Sequence, residues 1–291
     1  MNKPRNQKGK IIVSAMLFVA ILVYMHVART FFPQKSTQVS IENRPPMKVH
    51  FIDVGQGDST FVELPNGETM LIDASEQEFG QTVVEYINDL GYASIDYCIG
   101  THAHADHIGG MDYVFEHLEI KQCFTTEQKN DSKDYYEFVD AVEDEGISLQ
   151  TACADDVIVE SDNLKVEVVG PYEDEYFEDL NDSSLVILFS YFDKDFLITG
   201  DAGYSEIDDY DIGDIEVLRT SHHGSYTGTS EKLLNLITAE YAVISVGENN
   251  RYGHPHESVL DMFKKHKIET YRTDMLGNIV AVCDKDTLAF Q

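Results

Sequence analysis

From residue 47 onward, apolar positions along the chain follow two periods. Where they alternate or run together over four to eight residues between turn signals, they predict strands. "KVHFIDV", "STFVEL" and "TMLIDA" fit, punctuated by "GQGD" and "PNGE". Where apolar residues recur three and four apart, they predict helices. In "GQTVVEYINDLG", Val83, Val84, Ile87 and Leu90 share a face, and Gly91 suits a helix end. "IDYCIGTH" predicts a strand, "GGMDYVFEHLE" a helix, and "SKDYYEFVDAVEDEG" a second helix capped by Ser132. A β-rich stretch follows in "LKVEVVG", "SLVILFSYF" and "DFLITGD". Strands and helices then alternate through "IEVLRTSH", "SEKLLNLI", "YAVISVG", "ESVLDMFKKH" and "IETYR", before "NIVAVC" and "TLAFQ". Strands and helices in both halves predict two sheets with outer helices, since one doubly wound sheet would alternate more steadily.

The first 46 residues break this pattern. Residues 1–10, "MNKPRNQKGK", are basic, and Ile11 to Val27 carry no charge. That run is about as long as the shortest bilayer span, roughly 17 residues. We expect a cytoplasmic tail at 1–10, a transmembrane signal-anchor at 11–30 and a proline-bearing linker at 31–46. A cleaved secretory signal is the competing reading, but "HVARTFFPQ" has no small-x-small cleavage pattern. Either reading places the domain at 47–291 outside the cytoplasm, anchored in the cell membrane or secreted.

Composition adds two constraints. The chain has 52 acidic and 21 basic residues, a net charge of -31. Such a surface repels nucleic acid over most of its area, so a phosphate-bearing substrate needs local attraction by bound cations. "KKHK" at Lys264–Lys267 is a compact basic run but reads as the solvated end of a helix. None of the four cysteines forms a C-x-x-C; Cys98 and Cys283 lie in apolar runs and read as buried core residues.

The chemistry concentrates in "THAHADHIGGM", which places His102, His104, Asp106 and His107 within six positions. Residues two apart on a strand point the same way, so His102 and His104 can converge on one ion. Asp106 and His107, in the turn beyond, suit a second ion. Imidazole and carboxylate ligands fit zinc, and also manganese or iron. Downstream, Asp201 ends the apolar strand of "FLITGDAG", where a carboxylate can bridge two ions or simply make a turn. "SHHGS" offers His222 and His223, one as ligand and one towards substrate, and "YGHPH" offers His254 ahead of His256.

These motifs carry a resemblance. "THAHADHIGG" is similar to the H-x-H-x-D-H motif of the metallo-β-lactamase superfamily. "FIDVGQGDST", "NDSSLVILF", "FLITGDA", "SHHGS" and "YGHP" together look like the hydrolase domain of ComEC competence proteins. The resemblance implies an α+β fold, a four-layer αββα sandwich with two divalent metals at one edge. It assigns His102 and His104 to the first metal, Asp106, His107 and His223 to the second, and Asp201 to both. His222 would contact a substrate oxygen, Asp73 would brace the histidine loop, and Asp58 falls beside the site. Many family members supply a third histidine to the first metal. Between His107 and Asp201 this chain has only His117, on a predicted helix surface, and carries "NDSS" (Asn181–Ser184) instead.

Two adjacent dications, zinc first and manganese second, lower the pKa of a shared water to give hydroxide near neutral pH. They also stabilise charge on a phosphoryl or acyl oxygen. Asp106 would serve both metal and catalysis, and His222 or His254 would donate to the reacting oxygen or the leaving group. The expectation is therefore an exported phosphodiesterase acting on DNA, a nucleotide or a cell-wall phosphodiester. Its membrane contact would be the N-terminal helix, and no protein partner is expected. An acyl hydrolase acting on a lactam, lactone or thioester is the alternative, followed by a non-catalytic binding domain.

Overall fold

The structure, a computed structural model, describes residues 45–291. The expected tail, anchor and nearly all of the linker lie outside the described residues. Among those described, no helix is long and apolar enough to cross a membrane.

The first half supplies β1 (Met47–Phe51), β2 (Thr60–Glu63), β3 (Thr69–Ile72) and α1 (Gly80–Asp89). β4 (Ser94–Ile95), β5 (Tyr97–Gly100), α2 (Ala105–Ile108), α3 (Met111–His117) and β6 (Glu119–Ile120) follow. β7 (Cys123–Thr125), α4 (Lys133–Glu145) and β8 (Leu149–Thr151) complete that half. The second half contributes β9 (Val157–Ser161), β10 (Leu164–Gly170), β11 (Val186–Tyr191), β12 (Lys194–Ile198) and α5 (Tyr204–Ile207). Next come β13 (Val217–Arg219), α6 (Glu231–Ile237), β14 (Tyr241–Ile244), α7 (Glu257–His266) and β15 (Glu269–Arg272). α8 (Thr273–Leu276) leads to the hairpin β16 (Ile279–Cys283) and β17 (Leu288–Phe290).

One sheet runs β17-β16-β1-β2-β3-β5-β7-β8 and the other β15-β14-β13-β12-β11-β10-β9, with β4-β6 a short separate pair. Three apolar clusters separate four layers. Val49 and Phe51 of the first sheet meet Ile187, Phe189 and Phe196 of the second. Leu71 and Cys98 face Val83, Met111, Val114 and Phe138 from the helices of the first half. Val186, Leu188 and Leu197 face Leu233, Leu234, Val259 and Phe263. β11 therefore buries successive residues on opposite faces, which is why "VILF" is apolar throughout. This is the expected αββα sandwich.

The helix signals act as anticipated. Ser132 Oγ accepts from Tyr135 N at 3.2 Å, and Gly91, at φ +94°, follows the end of α1. His117 is exposed at the end of α3, and Cys98, Cys123 and Cys283 are buried and unpaired. One local expectation is corrected. β5 stops at Gly100, so His102 and His104 are not strand residues. Nor do Asp106 and His107 sit in a turn; they occupy the one-turn helix α2, before Gly109.

A polar network sits between the first sheet and α1. Glu63 accepts from Lys48 Nζ (3.0 Å) and Tyr92 Oη (2.8 Å), and also meets His50 Nε2 (3.0 Å). Partial burial would raise the Glu63 carboxyl, but the Tyr92 and Lys48 bonds override it and hold the group below its ordinary value. A depressed carboxyl stabilises the fold above its unfolded pKa, and that contribution is lost as pH falls through the folded value. Glu63→Gln is thus expected to lower Tm by a few degrees at pH 7, and the gap should close below about pH 4.5. Identical melting curves for wild type and variant across that range would refute this.

Candidate metal centre

Strand ends supply the site. Asp73 lies just beyond β3, Thr101 to His107 beyond β5, Asp201 beyond β12, and His222 and His223 beyond β13. β3 runs parallel to β5, and β12 parallel to β13, so each pair ends on the same side of its sheet. Two glycines permit the close approach. Gly200, at φ +49°, passes where a Cβ would lie 2.8 Å from Ser184 and 3.0 Å from Thr101. At Gly57, φ +148°, a Cβ would lie 2.3 Å from Ser75 Oγ.

Asp106, His107, Asp201 and His223 each present a ligand atom within 4.8 Å of all the others. His107 Nε2 lies 3.2 Å from Asp201 Oδ1. His223 Nε2 lies 3.4 Å from Asp106 Oδ2 and 3.6 Å from Asp201 Oδ2. Each ring is set from behind. His107 Nδ1 is 2.7 Å from Asp73 Oδ2, and His223 Nδ1 donates to the Ser245 carbonyl at 3.0 Å. So held, both Nε2 atoms face the cluster, where each can offer its lone pair once a cation takes the place of a proton. His107 Nε2, His223 Nε2 and Asp201 Oδ1 are buried without a hydrogen-bond partner. Buried imidazole and carboxylate groups gathered this way fit a divalent cation.

The electrostatics make the same demand. Burial would push His107 down, but the Asp201 and Asp73 carboxylates override it and raise it well above the ordinary imidazole range. Burial would raise Asp201, yet His107 and His223 hold it well below the usual carboxylate value. Asp106 also ends low: the His223 bond and the His107 charge outweigh its burial. The acids here require positive charge beside them.

Asp73 accepts from Thr101 N (2.8 Å) and Thr101 Oγ1 (2.8 Å) as well as facing His107, so its oxygens are occupied. Asp58 points away from the cleft. It pairs with Arg219 Nη2 and lies 3.5 Å from His223 Nδ1 and 3.7 Å from His107 Nδ1. Arg219, almost wholly buried, also donates from Nη1 to the Gly200 carbonyl at 2.6 Å, one residue ahead of Asp201. The pattern reading missed Arg219. Its signal was available: a lone cation inside the apolar stretch "IEVLRTSH".

His102 and His104 form a neighbouring pair, with His102 Nε2 2.9 Å from His104 Nδ1. They converge because the chain bends through 102–104 before α2, not because of strand alternation. Asn181 Oδ1 lies 2.9 Å from His104 Nδ1, so the "NDSS" segment reaches the histidine pair. That segment also braces Asp201: Ser184 Oγ accepts from Asp201 N (3.0 Å), and Asp182 Oδ1 accepts from Gly203 N (2.9 Å).

His222 and His223 both adopt left-handed backbone, at φ 50° and 52°. Such conformations cost about 1–3 kcal/mol each in non-glycine residues and persist where their surroundings enforce them. Here Ser221 Oγ donates to Ala202 O (2.5 Å) and Ser225 N to His222 O (2.8 Å). The turn buries His223 and leaves His222 partly exposed, its Nε2 3.8 Å from Asp201 Oδ2. Above lies an open cleft of ≈ 340 Å³, walled by His104, Asp106, Asp201, His222, His223 and His254, with Asn181 between the walls and Gln56, Glu76, Arg251 and Tyr252 also lining it. Burial lowers His222, and burial with the His223 charge lowers His254 to about 4. His256 only precedes α7, its Nδ1 accepting from Tyr226 N at 3.2 Å.

The family described as the metallo-beta-lactamase superfamily matches residues 52–248. ComE operon protein 3 of Bacillus subtilis is 31% identical over 258 residues, covering 80% of this chain and 32% of that protein. Recombination protein 2 of Haemophilus influenzae is 28% identical over 259 residues, 86% of this chain and 30% of that protein. This chain thus spans about a third of the length of those two relatives. Among solved structures, the metallo-beta-lactamase fold protein YhfI of Bacillus subtilis superposes with a TM-score of 0.52 at 10% identity, over 84% of this chain and 100% of YhfI. The chain belongs to the metallo-β-lactamase superfamily, as a ComEC-like hydrolase domain.

Proposed function

We propose that the chain is a metal-dependent phosphodiester hydrolase working outside the cytoplasm, tethered by its N-terminal segment. The observation that carries the hydrolytic reading is the quartet Asp106, His107, Asp201 and His223, with three orphaned buried atoms, at the foot of the cleft. Asp106, His107 and His223 would hold one divalent ion, His102 and His104 another, and Asp201 would reach both. Zinc suits this donor set best, with manganese next. Two such ions, when bound, supply Lewis acidity and activate water near neutral pH.

The chain's own residues do the rest. Asp73 and Ser245 fix the tautomers of His107 and His223. Arg219 positions Asp58 and the backbone ahead of Asp201. His222 and His254, kept neutral by burial, donate N–H to a substrate oxygen as negative charge builds on it. Asn181 beside His104 implies a weaker grip on the first ion than a third histidine would give. That departure, and a relative named for recombination, support a nucleic-acid diester over a lactam.

Turnover of a chromogenic phosphodiester by the full chain tests this, with Zn²⁺ and Mn²⁺ in parallel. Chelation should abolish it and added metal restore it, with two ions bound per chain. Two bound ions without diester turnover would sink the phosphodiester reading and favour acyl substrates. Neither ions nor turnover would leave a non-catalytic binding domain.

A further inference from the structure

The loop from Gly247 to His254 is braced by one side chain. Asn250 Nδ2 donates to Gly247 O (3.0 Å) and His254 O (2.6 Å), and Asn250 Oδ1 accepts from Tyr252 N (3.1 Å) and His254 N (3.0 Å). So held, the loop presents Arg251 and Tyr252 at the mouth of the cleft. The Tyr252 ring is 48% exposed and stacks on His254, with centroids 5.6 Å apart and planes 22° apart. Among the described residues, Arg251 is the one arginine or lysine lining the cleft. Its guanidinium lies 4.9 Å from the Tyr252 ring centroid and donates to Tyr252 Oη at 2.6 Å. Tyr226, 62% exposed, packs against His256, whose ring is 4.8 Å from that of His254.

A row of flat rings therefore leads from open solvent to the histidines of the candidate metal centre, with one cation at its outer end. Every nucleobase offers a π-face to such rings whatever its sequence, and an arginine beside them suits the adjoining phosphate. The charge balance narrows the choice. At a net charge of -31 the chain repels a long polyanion, and duplex DNA keeps its bases stacked internally. A short unpaired stretch touches only the mouth, where Arg251 stands. Glu76, also lining the cleft, disfavours a second phosphate there and can accept from a base amine.

We propose that Arg251 and Tyr252 form a recognition platform for single-stranded nucleic acid, Tyr252 stacking on one base and Arg251 gripping the phosphate beside it, so that the next diester enters the metal cleft. This rests on the phosphodiester reading above. Both residues are specificity determinants, since neither is among the groups placed at the reacting atoms.

The test compares an eight-residue oligothymidylate with an abasic strand carrying the same number of phosphates. Binding to the zinc-loaded full chain is read by fluorescence anisotropy in the cold, before cleavage is measurable, and hydrolysis of a chromogenic diester is followed in parallel. The base-bearing strand should bind about 5- to 150-fold tighter, the range expected of one stacked base. Tyr252→Leu should bring that ratio towards one, and Tyr252→Phe should preserve it. Arg251→Gln should weaken both strands alike and flatten the salt dependence by about one phosphate contact. Equal binding of the two strands by the wild type, or a ratio that survives Tyr252→Leu, overturns the proposal. If the ratio behaves as expected but the diester is not cleaved, the platform stands and the phosphodiester reading falls.

Discussion

Asp201→Ala is expected to lower phosphodiester turnover by more than about 10³-fold and to reduce bound metal below two ions per chain. In the proposed site this carboxylate is the group shared by both ions, and it is fixed before any ion arrives. Its amide is held by Ser184 Oγ, the preceding carbonyl by Arg219, and its oxygens face His107 and His223. Changing a group behind a ligand typically costs 10- to 100-fold in metal affinity or activity, so loss of a shared ligand should exceed that. The variant should still fold. Without an ion, Asp201 faces His107 and His223, which hold its carboxyl well below the ordinary value, so removing it costs stability at neutral pH. Its Tm in chelator should fall below that of the wild type, and the rise in Tm on adding zinc should shrink as well. Turnover within tenfold of wild type, with two ions still bound, would rule out the shared-ligand role.

The second large effect separates adjacent histidines. His223→Ala should lose tightly bound metal and activity together. His222→Ala should keep the metal and lose about 10²- to 10⁴-fold in kcat, the usual contribution of a positioned proton donor. His223 is buried, its Nδ1 is committed to Ser245, and its Nε2 faces two carboxylates. His222 borders the open cleft and stands 3.2 Å from Thr227 Oγ1. Metal content by mass spectrometry beside kcat and KM decides it, and the opposite pattern would exchange the two roles.

Much of this architecture was legible in the order of residues. Runs such as "VILF" and "FLI" are apolar on consecutive positions because those strands are buried on both faces, which points to stacked sheets. "HAHADH" stood out by its density of ligand types, whereas Asp201 and the choice of His223 within "SHHGS" came from the resemblance to ComEC-like domains. The short strands β7, β8 and β9 escaped because three to five residues show too little periodicity, and β8 is largely exposed. The reason His102 and His104 meet was also hidden. A strand and a bend before a one-turn helix both bring residues two apart together, and only coordinates separate them. Arg219 was overlooked because a cation in a strand usually reaches solvent, whereas this one finds Asp58 and Gly200 inside.

The candidate metal ligands are divided between the layers: the 101–107 segment hangs from one sheet, Asp201 and His223 from the other. Ions held by these groups would be gripped from both sides and act as a clasp. Parting the sheets would strip each ion of half its ligands at once, so the loaded form should unfold slowly even where its equilibrium stability is ordinary. Metal supply would then govern how long each molecule survives as well as how fast it turns over.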